Sequence, residues 1–290
     1  MKQITMFFLL VFCLFVSTSA FAAFVGGFDL KNKENLAVVQ KVSSYDLSSV
    51  PNVILKSGVL RVGMEPGYMP FEMINKKGEL FGFDVDLAKL IAKEIGVRLE
   101  LVNTAWDRII PALNSNKFNI LLSGMTITEQ RAQLVDFTES YFDTGQSILM
   151  LSKNSPQVKT YKDLNNSKYK VASKSGAFGE KAVKQSIPHA SYRSYKTEAE
   201  GIRALLKGKV DAFVYDLPYM SIVEATKGNG QIVFLDKHFT NEPLGIAVNK
   251  GNTEFVGWLD QFLVRIKEDG LYSKLYDKWF SHDDWVKDLR

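Results

Sequence analysis

Cysteine is almost absent from this chain and histidine is scarce. The 290 residues include one cysteine, Cys13, and three histidines, His189, His238 and His282. A single thiol excludes a disulfide framework, so packing must supply the stability. Three isolated histidines among polar neighbours read as surface residues and offer no metal-ligand spacing. There is no HExxH run, Walker A glycine loop or GxSxG elbow, so no cofactor, metal or catalytic residue is assigned. Beyond the N-terminus no segment approaches the ~20 apolar residues that a membrane-spanning helix needs. Lysine and arginine number 36 against 32 acids, but they are interleaved and form no basic block, so nucleic acid is not an expected partner.

What is present is an ordinary globular balance, 46% hydrophobic and 23% charged, over a length that suggests about two domains at roughly 150 residues each. Lys2 opens a positive n-region, Met6 to Val16 an apolar h-region, and Ala20-Phe21-Ala22 a small-residue cleavage site. Residues 1–22 therefore read as a secretory signal peptide cut after Ala22, and the expected location is the periplasm. Phe12 precedes Cys13 and apolar residues follow it, which does not fit a lipoprotein. Residues 23–48 carry weak periodicity and no motif, and read as a loosely docked or poorly ordered extension.

Strong patterning starts near Ser49. A short helix ends at Gly58, and Val59 to Gly63 is a β-branched run typical of a buried strand. After a Gly/Pro-rich turn, Glu65 to Phe71, an amphipathic helix presents Leu87, Leu90, Ile91 and Ile95 on one face and stops at Gly96. Strand and helix signals continue to alternate: Leu99 to Val102, Asp107 to Leu113, Asn119 to Leu122, Glu129 to Leu134. That alternation is the rhythm of an α/β sheet. It restarts with a strand at Tyr169 to Ala172 and a helix at Ala177 to Gln185, and Thr197 to Glu200 forms a capping box for a helix closed by Gly208. Strands follow at Val210 to Tyr215 and Leu244 to Val248, then two helices parted by Gly270. Asp84 and Asp86, at a strand-to-helix junction, read as helix-capping carboxylates rather than an acid–base pair.

The run GFDVDLAKLIAKEI, Gly82 to Ile95, closely resembles the signature of the family 3 extracellular solute-binding proteins, receptors of polar amino-acid ABC importers. RVGMEPGYMPFEM, LVNTAWDRIIPAL, SGMTITEQRAQLVDFTESYF, GKVDAFVYDLP and EDGLYSKLYDKWF fall in the same family order, spanning about residues 49–280. The resemblance implies an α/β type II periplasmic binding-protein fold. In it two lobes, 49–147 with 246–290 and 148–245, are joined by two crossover strands over a buried ligand.

The chemistry agrees. A free α-amino acid carries a carboxylate and an ammonium, and a site that excludes water must match both. Arg131 lies in the first turn of a helix opened by Thr128, just after Thr126, so a guanidinium, a hydroxyl and helix amides converge as a carboxylate requires. The resemblance makes these the α-carboxylate ligands, with Gly124 offering a carbonyl to the ammonium. Asp216 ends its strand at the carboxyl edge, where open α/β sheets bind ligands, and in the family it holds the ammonium from the second lobe; the competing role is helix N-cap. Tyr68 and Trp106 match the family's side-chain clamp. In the loop Lys174 to Phe178, Ala177 and Phe178 replace the usual hydroxyl or glycine positions. That loop then has only backbone N–H groups to offer a carboxylate, and Phe178 faces either ligand or core.

The resemblance puts Glu65 in the turn that faces the distal end of the ligand, and Lys174 lies opposite in the second-lobe loop. An acidic ligand would face Glu65 and a basic one Lys174, so neutral polar amino acids such as glutamine rank first, basic ones second and acidic ones last. The expected function is a monomeric periplasmic receptor that delivers a polar amino acid to an ABC permease without chemistry. The alternative is an exported enzyme on the same fold, of the cyclohexadienyl or arogenate dehydratase kind.

Overall fold

The computed structural model describes residues 46–236 and 239–289. The expected signal peptide, Cys13, nearly all of the 23–48 extension and His238 lie outside the described residues. His189 and His282 are exposed.

From the N-terminal side, helix α1 (Asn52–Ser57) is stopped by Gly58 in the left-handed conformation and feeds β1 (Val59–Met64). A small hairpin of β2 (Met73–Ile74) and β3 (Leu80–Phe81) precedes α2 (Phe83–Ile95). Phe83, Leu87, Ala88, Ile91 and Ile95 of α2 are buried, as a 3.6-residue repeat requires, and Leu90 packs at the margin. Gly96 closes the helix with φ 78° and donates its N–H to Ala92 and Lys93 carbonyls. Next come β4 (Arg98–Asn103), α3 (Trp106–Asn114), β5 (Ile120–Leu121), α4 (Glu129–Ala132) and β6 (Val135–Phe137).

Then β7 (Phe142–Thr144) leads into β8 (Gln146–Leu151), whose six residues are all buried. It is followed by β9 (Lys170–Lys174), α5 (Phe178–Ser186), β10 (Ser191–Tyr195), α6 (Glu198–Leu206), β11 (Ala212–Asp216), α7 (Leu217–Lys227) and β12 (Ile232–Asp236). The chain finishes with β13 (Glu242–Leu244), β14 (Ala247–Asn249), α8 (Thr253–Glu268) and α9 (Leu271–Tyr276).

Two five-stranded sheets result, ordered β4-β1-β5-β14-β6 and β10-β9-β11-β8-β12. In the first, β1 runs parallel to β4 and β5, while β14 enters antiparallel between β5 and β6. In the second, β9 is parallel to β10 and β11, and β8 is antiparallel to β11 and β12. Between the sheets β7 and β13 form an antiparallel ribbon in register Glu242 to Thr144 and Leu244 to Phe142. This is a type II periplasmic binding-protein fold: two α/β lobes with two crossover strands.

Two sequence expectations change. The single strand expected over Leu244 to Val248 is two strands in different sheets, because the chain leaves the ribbon at Gly245 to enter the first sheet. A Cβ on Gly245 would stand 2.8 Å from Ile127, so a larger residue there would force that side chain to shift. Asp84 does not cap α2. The N-cap is Gly82, with no side-chain cap, and a Cβ there would lie 2.1 Å from the Phe71 carbonyl oxygen. Asp84 is instead fully buried, and Asp86 holds Lys89, Lys278 and the Trp279 indole.

The C-terminal segment closes over the first lobe's side of the ribbon. Phe280 stacks on Phe142 at 4.8 Å, and the Tyr272 hydroxyl donates to the Tyr141 carbonyl at 2.7 Å.

Candidate ligand-binding cleft

The carboxyl ends of the parallel strands in both sheets face one cleft, the location that open α/β sheets use for ligands. From the first lobe Glu65 follows β1, Trp106 starts α3 after β4, Gly124 and Thr126 follow β5, and Arg131 lies in α4. From the second, Lys174 ends β9, Phe178 starts α5 and Asp216 ends β11. With Tyr68, all nine residues singled out from sequence line this one cleft, joined by Glu72, Ser123, Ala177, Glu198 and Tyr215. The lobes are nearly shut, with room for about one water between their walls.

At one end stand Arg131 and Asp216. Thr128 caps α4 by accepting the Arg131 N–H at 3.2 Å, which fixes where the side chain starts. The guanidinium donates to the carbonyls of Thr126 (2.8 Å) and, across the cleft, Gly176 (3.3 Å). Its carbon lies 5.4 Å from the Trp106 ring centre. Asp216 is 6% exposed and occupies the N-cap position of α7, yet its side chain makes no cap. It accepts from the Tyr68 hydroxyl at 2.5 Å and from the Gln146 amide. Burial pushes its carboxyl up to about 6, against the pull of those two donors. Gln146 also donates to Glu242 of the ribbon (3.0 Å), and the Thr126 hydroxyl donates to the same oxygen at 3.4 Å. Burial and Asp216 push Glu242 up to about 7.

Gly124 forms the floor. Its φ is 53° and a Cβ would stand 2.2 Å from the Tyr68 ring, so both backbone and space require glycine. Its N–H donates to Asp84 at 2.8 Å, and the Tyr141 hydroxyl donates to the same oxygen at 2.9 Å. Glu72 accepts from the Ser123 hydroxyl at 2.7 Å. Glu72 Oε2 and Asp84 Oδ1 are buried with no other partner, and burial raises Glu72 well above its ordinary value and Asp84 to about 7. Two such carboxyls hold a proton between them near neutrality.

At the other end Lys174 reaches between the lobes. Its side chain is 3% exposed; the ammonium pairs with Glu65 and, at 2.8 Å, with Glu198, and lies 5.0 Å from the Trp106 ring centre. Burial lowers its affinity for the proton, but Glu198 and Glu65 outweigh that and hold it above the ordinary lysine value. Glu198 also accepts from the Tyr215 hydroxyl at 2.7 Å, and Glu65 from the Trp106 N–H at 3.0 Å. The Trp106 indole donates across the cleft to the Gly176 carbonyl at 3.1 Å. The Gly176 N–H is taken by Glu180 at 2.7 Å, which removes one amide from the second-lobe loop's offer. Phe178 is half-buried at the cleft with Lys181 over its ring, and is not part of the second lobe's core.

Sequence reasoning missed Glu72, Ser123, Glu198 and Tyr215. Glu198 was visible as the residue after the Thr197 cap, whose capping box with Glu200 does form. The cap sets where α6 begins, but not which way its first residue points.

A half-buried guanidinium and a buried carboxylate on opposite walls, flanked by aromatic faces, define a receptor cleft for a small zwitterion. Among the described residues no group of three or more histidine, cysteine, aspartate or glutamate side chains is placed to hold a metal. The chain belongs to the bacterial extracellular solute-binding proteins, family 3, whose model matches residues 60–282. It is similar to a Wolinella succinogenes protein solved in complex with lysine, at 47% identity and TM-score 0.77, covering 79% of this chain and 99% of that one. The ancestral amino acid-binding protein AncCDT-1, a precursor of cyclohexadienyl dehydratase, is 42% identical at TM-score 0.73, covering 79% and 98%. The L-arginine-binding protein of Pseudomonas aeruginosa is 31% identical over 233 residues, 77% of this chain and 88% of that protein.

Proposed function

We propose that this chain is the periplasmic receptor of an ABC importer, closing its lobes over one free polar L-amino acid and passing it unchanged to an inner-membrane permease. The observation that carries the reading is the meeting of Arg131 from one lobe and Asp216 from the other in a single buried cleft. Arg131 receives the α-carboxylate, with the Thr126 hydroxyl beside it. Asp216 and the Gly124 carbonyl receive the α-ammonium. Arg131 and Asp216 favour each other's charge but make no direct ion pair on closing, so ligand and closure depend on each other. The family and the lysine- and arginine-binding relatives support the same reading.

Glu198 alters the ranking of ligands drawn from sequence. With Glu65 it sets two carboxylates against the one ammonium of Lys174. The side-chain end is thus net negative, and we place basic amino acids ahead of glutamine, with acidic ones still last. Export with cleavage after Ala22 and a monomeric state belong to the same proposal. Intact mass of periplasmic protein should show the loss of residues 1–22.

Thermal-shift screening of the mature protein against the free amino acids tests the core of the proposal. At a hundred times its dissociation constant the right ligand should stabilise the fold by about 2.7 kcal/mol. It should be recovered unchanged. Binding of no amino acid, or turnover of a prephenate-like acid, would replace this reading with another, the latter with the enzyme.

A further inference from the structure

We infer that the Lys174 ammonium is a built-in competitor for the cationic head of the ligand: it occupies the Glu65 and Glu198 carboxylates that a basic side chain needs, and so sets how strongly the cleft prefers basic amino acids. This rests on the receptor reading and deepens it. Three contacts carry it. The ammonium touches Glu65 on the first lobe and Glu198 on the second, and lies 5.0 Å from the centre of the Trp106 ring. Paired carboxylates beside an aromatic face are what recognise a lysine head group, and here the chain's own lysine fills the place.

Burial argues the same way. Lys174 stands between the two carboxylates with its side chain 3% exposed, so a cationic head reaches them only if Lys174 leaves. A second ammonium beside the first would also meet like-charge repulsion in a poorly solvated cleft. Lysine's flexible four-carbon stem can carry the charge out to water, and the adjoining Ser175 and Gly176 are exposed. A basic ligand that displaces Lys174 restores the two ion pairs it breaks. A neutral side chain makes no claim on Glu65 and Glu198 and leaves Lys174 in place, so its binding neither breaks nor makes those pairs. Selectivity for basic over neutral ligands is therefore present but blunted, since part of each basic ligand's gain replaces a pair that already existed.

Calorimetric titration of the mature protein and its Lys174→Met variant with lysine, arginine and glutamine at pH 7 tests this. The variant should bind lysine and arginine tenfold or more tightly than wild type does, with glutamine changed by less than threefold. Lys174→Arg, which keeps a cation at the two carboxylates, should not show that gain. Glu198→Gln should lose lysine affinity tenfold in the Lys174→Met background and much less in wild type, where Lys174 and the ligand lose the same partner. Should Lys174→Met fail to fold by circular dichroism, Lys174→Gln combined with Glu198→Gln must prefer lysine over glutamine more than Glu198→Gln alone does. A lysine-to-glutamine preference that stays level or falls when the ammonium is removed overturns the competitor role while leaving the receptor reading intact. Absence of binding by any of the three to wild type and variants overturns both.

Discussion

At one end of the cleft Arg131 and Asp216 are held by uncharged partners, two carbonyls for the cation and a phenol and an amide for the anion. At the other, Lys174, Glu65 and Glu198 hold one another. The first arrangement orients charges that attract each other without forming an ion pair, so it costs stability and leaves interaction energy for a zwitterion. The second is already neutralised within the chain apart from one negative charge, so it contributes to the closed form and gains less from a ligand. Function concentrates where the fold leaves charge unmatched.

The sharpest way to break this comparison is to remove the unmatched charges. Arg131→Ala and Asp216→Ala should each weaken ligand binding by about 2–5 kcal/mol, since each strands a buried ligand charge. Calorimetry would show it, and a loss below threefold in either would mean that the end in question is not the one that anchors the ligand backbone. Stability should move the other way at the two ends. Glu198→Ala takes a partner from Lys174 and from the Tyr215 hydroxyl, and should lower urea stability by about 1–3 kcal/mol. Asp216→Asn relieves a buried negative charge and should leave stability at pH 8 equal or higher while abolishing binding. If both variants destabilise alike, the two ends do not differ as described.

Acidity sharpens the contrast further. The folded chain holds a proton on Asp216 up to about pH 6, whereas an unfolded aspartate releases it near 3.8. The folded state binds more protons in that window, so its stability is greatest below it and falls as pH rises through about 6. Glu242 and Asp84, both raised to about 7, extend the fall toward neutrality. A ligand ammonium favours the ionised Asp216, so affinity should rise with pH over the same range. Melting temperatures from pH 4.5 to 7.5, with and without ligand, should show the bare protein losing stability while the ligand's increment grows. Asp216→Asn should flatten both trends at the acidic end. The smallest expected effect is Thr126→Ala, about 1 kcal/mol in binding, for one hydroxyl already shared with Glu242.

Arg131 and Asp216 were legible because they stand in runs with local meaning, whereas Glu65, Tyr68, Trp106 and Gly124 were placed by the family resemblance. Thr128 announces α4 and hence the placement of Arg131; the strand ending in Asp216 announces a carboxyl edge. Glu198, Glu72 and Ser123 were not legible, because what matters is which face a turn presents after two lobes meet, and neither periodicity nor capping encodes that. Asp84 was misread for a related reason. Its first-turn position fits a dipole partner, but Gly124 and Tyr141 from distant segments claim it. In the fold, long amphipathic elements such as α2 were read to within a residue or two. The two-residue strands β2 and β3 depend on tertiary pairing, and the break between β13 and β14 shows only once the sheets are assigned.

The insertion of β14 between β5 and β6 has a consequence for the order in which the molecule can be completed. Every strand of the second sheet lies between residues 146 and 236, whereas the first sheet waits for residues 247–249 before β6 gains its neighbour. A chain emerging from its N-terminus therefore presents β5 with one open edge and β6 with no partner while the later lobe is able to form. Exposed edges of that kind are where intermolecular pairing begins. The lobe made first is the lobe finished last, and a chain halted anywhere between about residue 137 and residue 246 carries that open edge throughout.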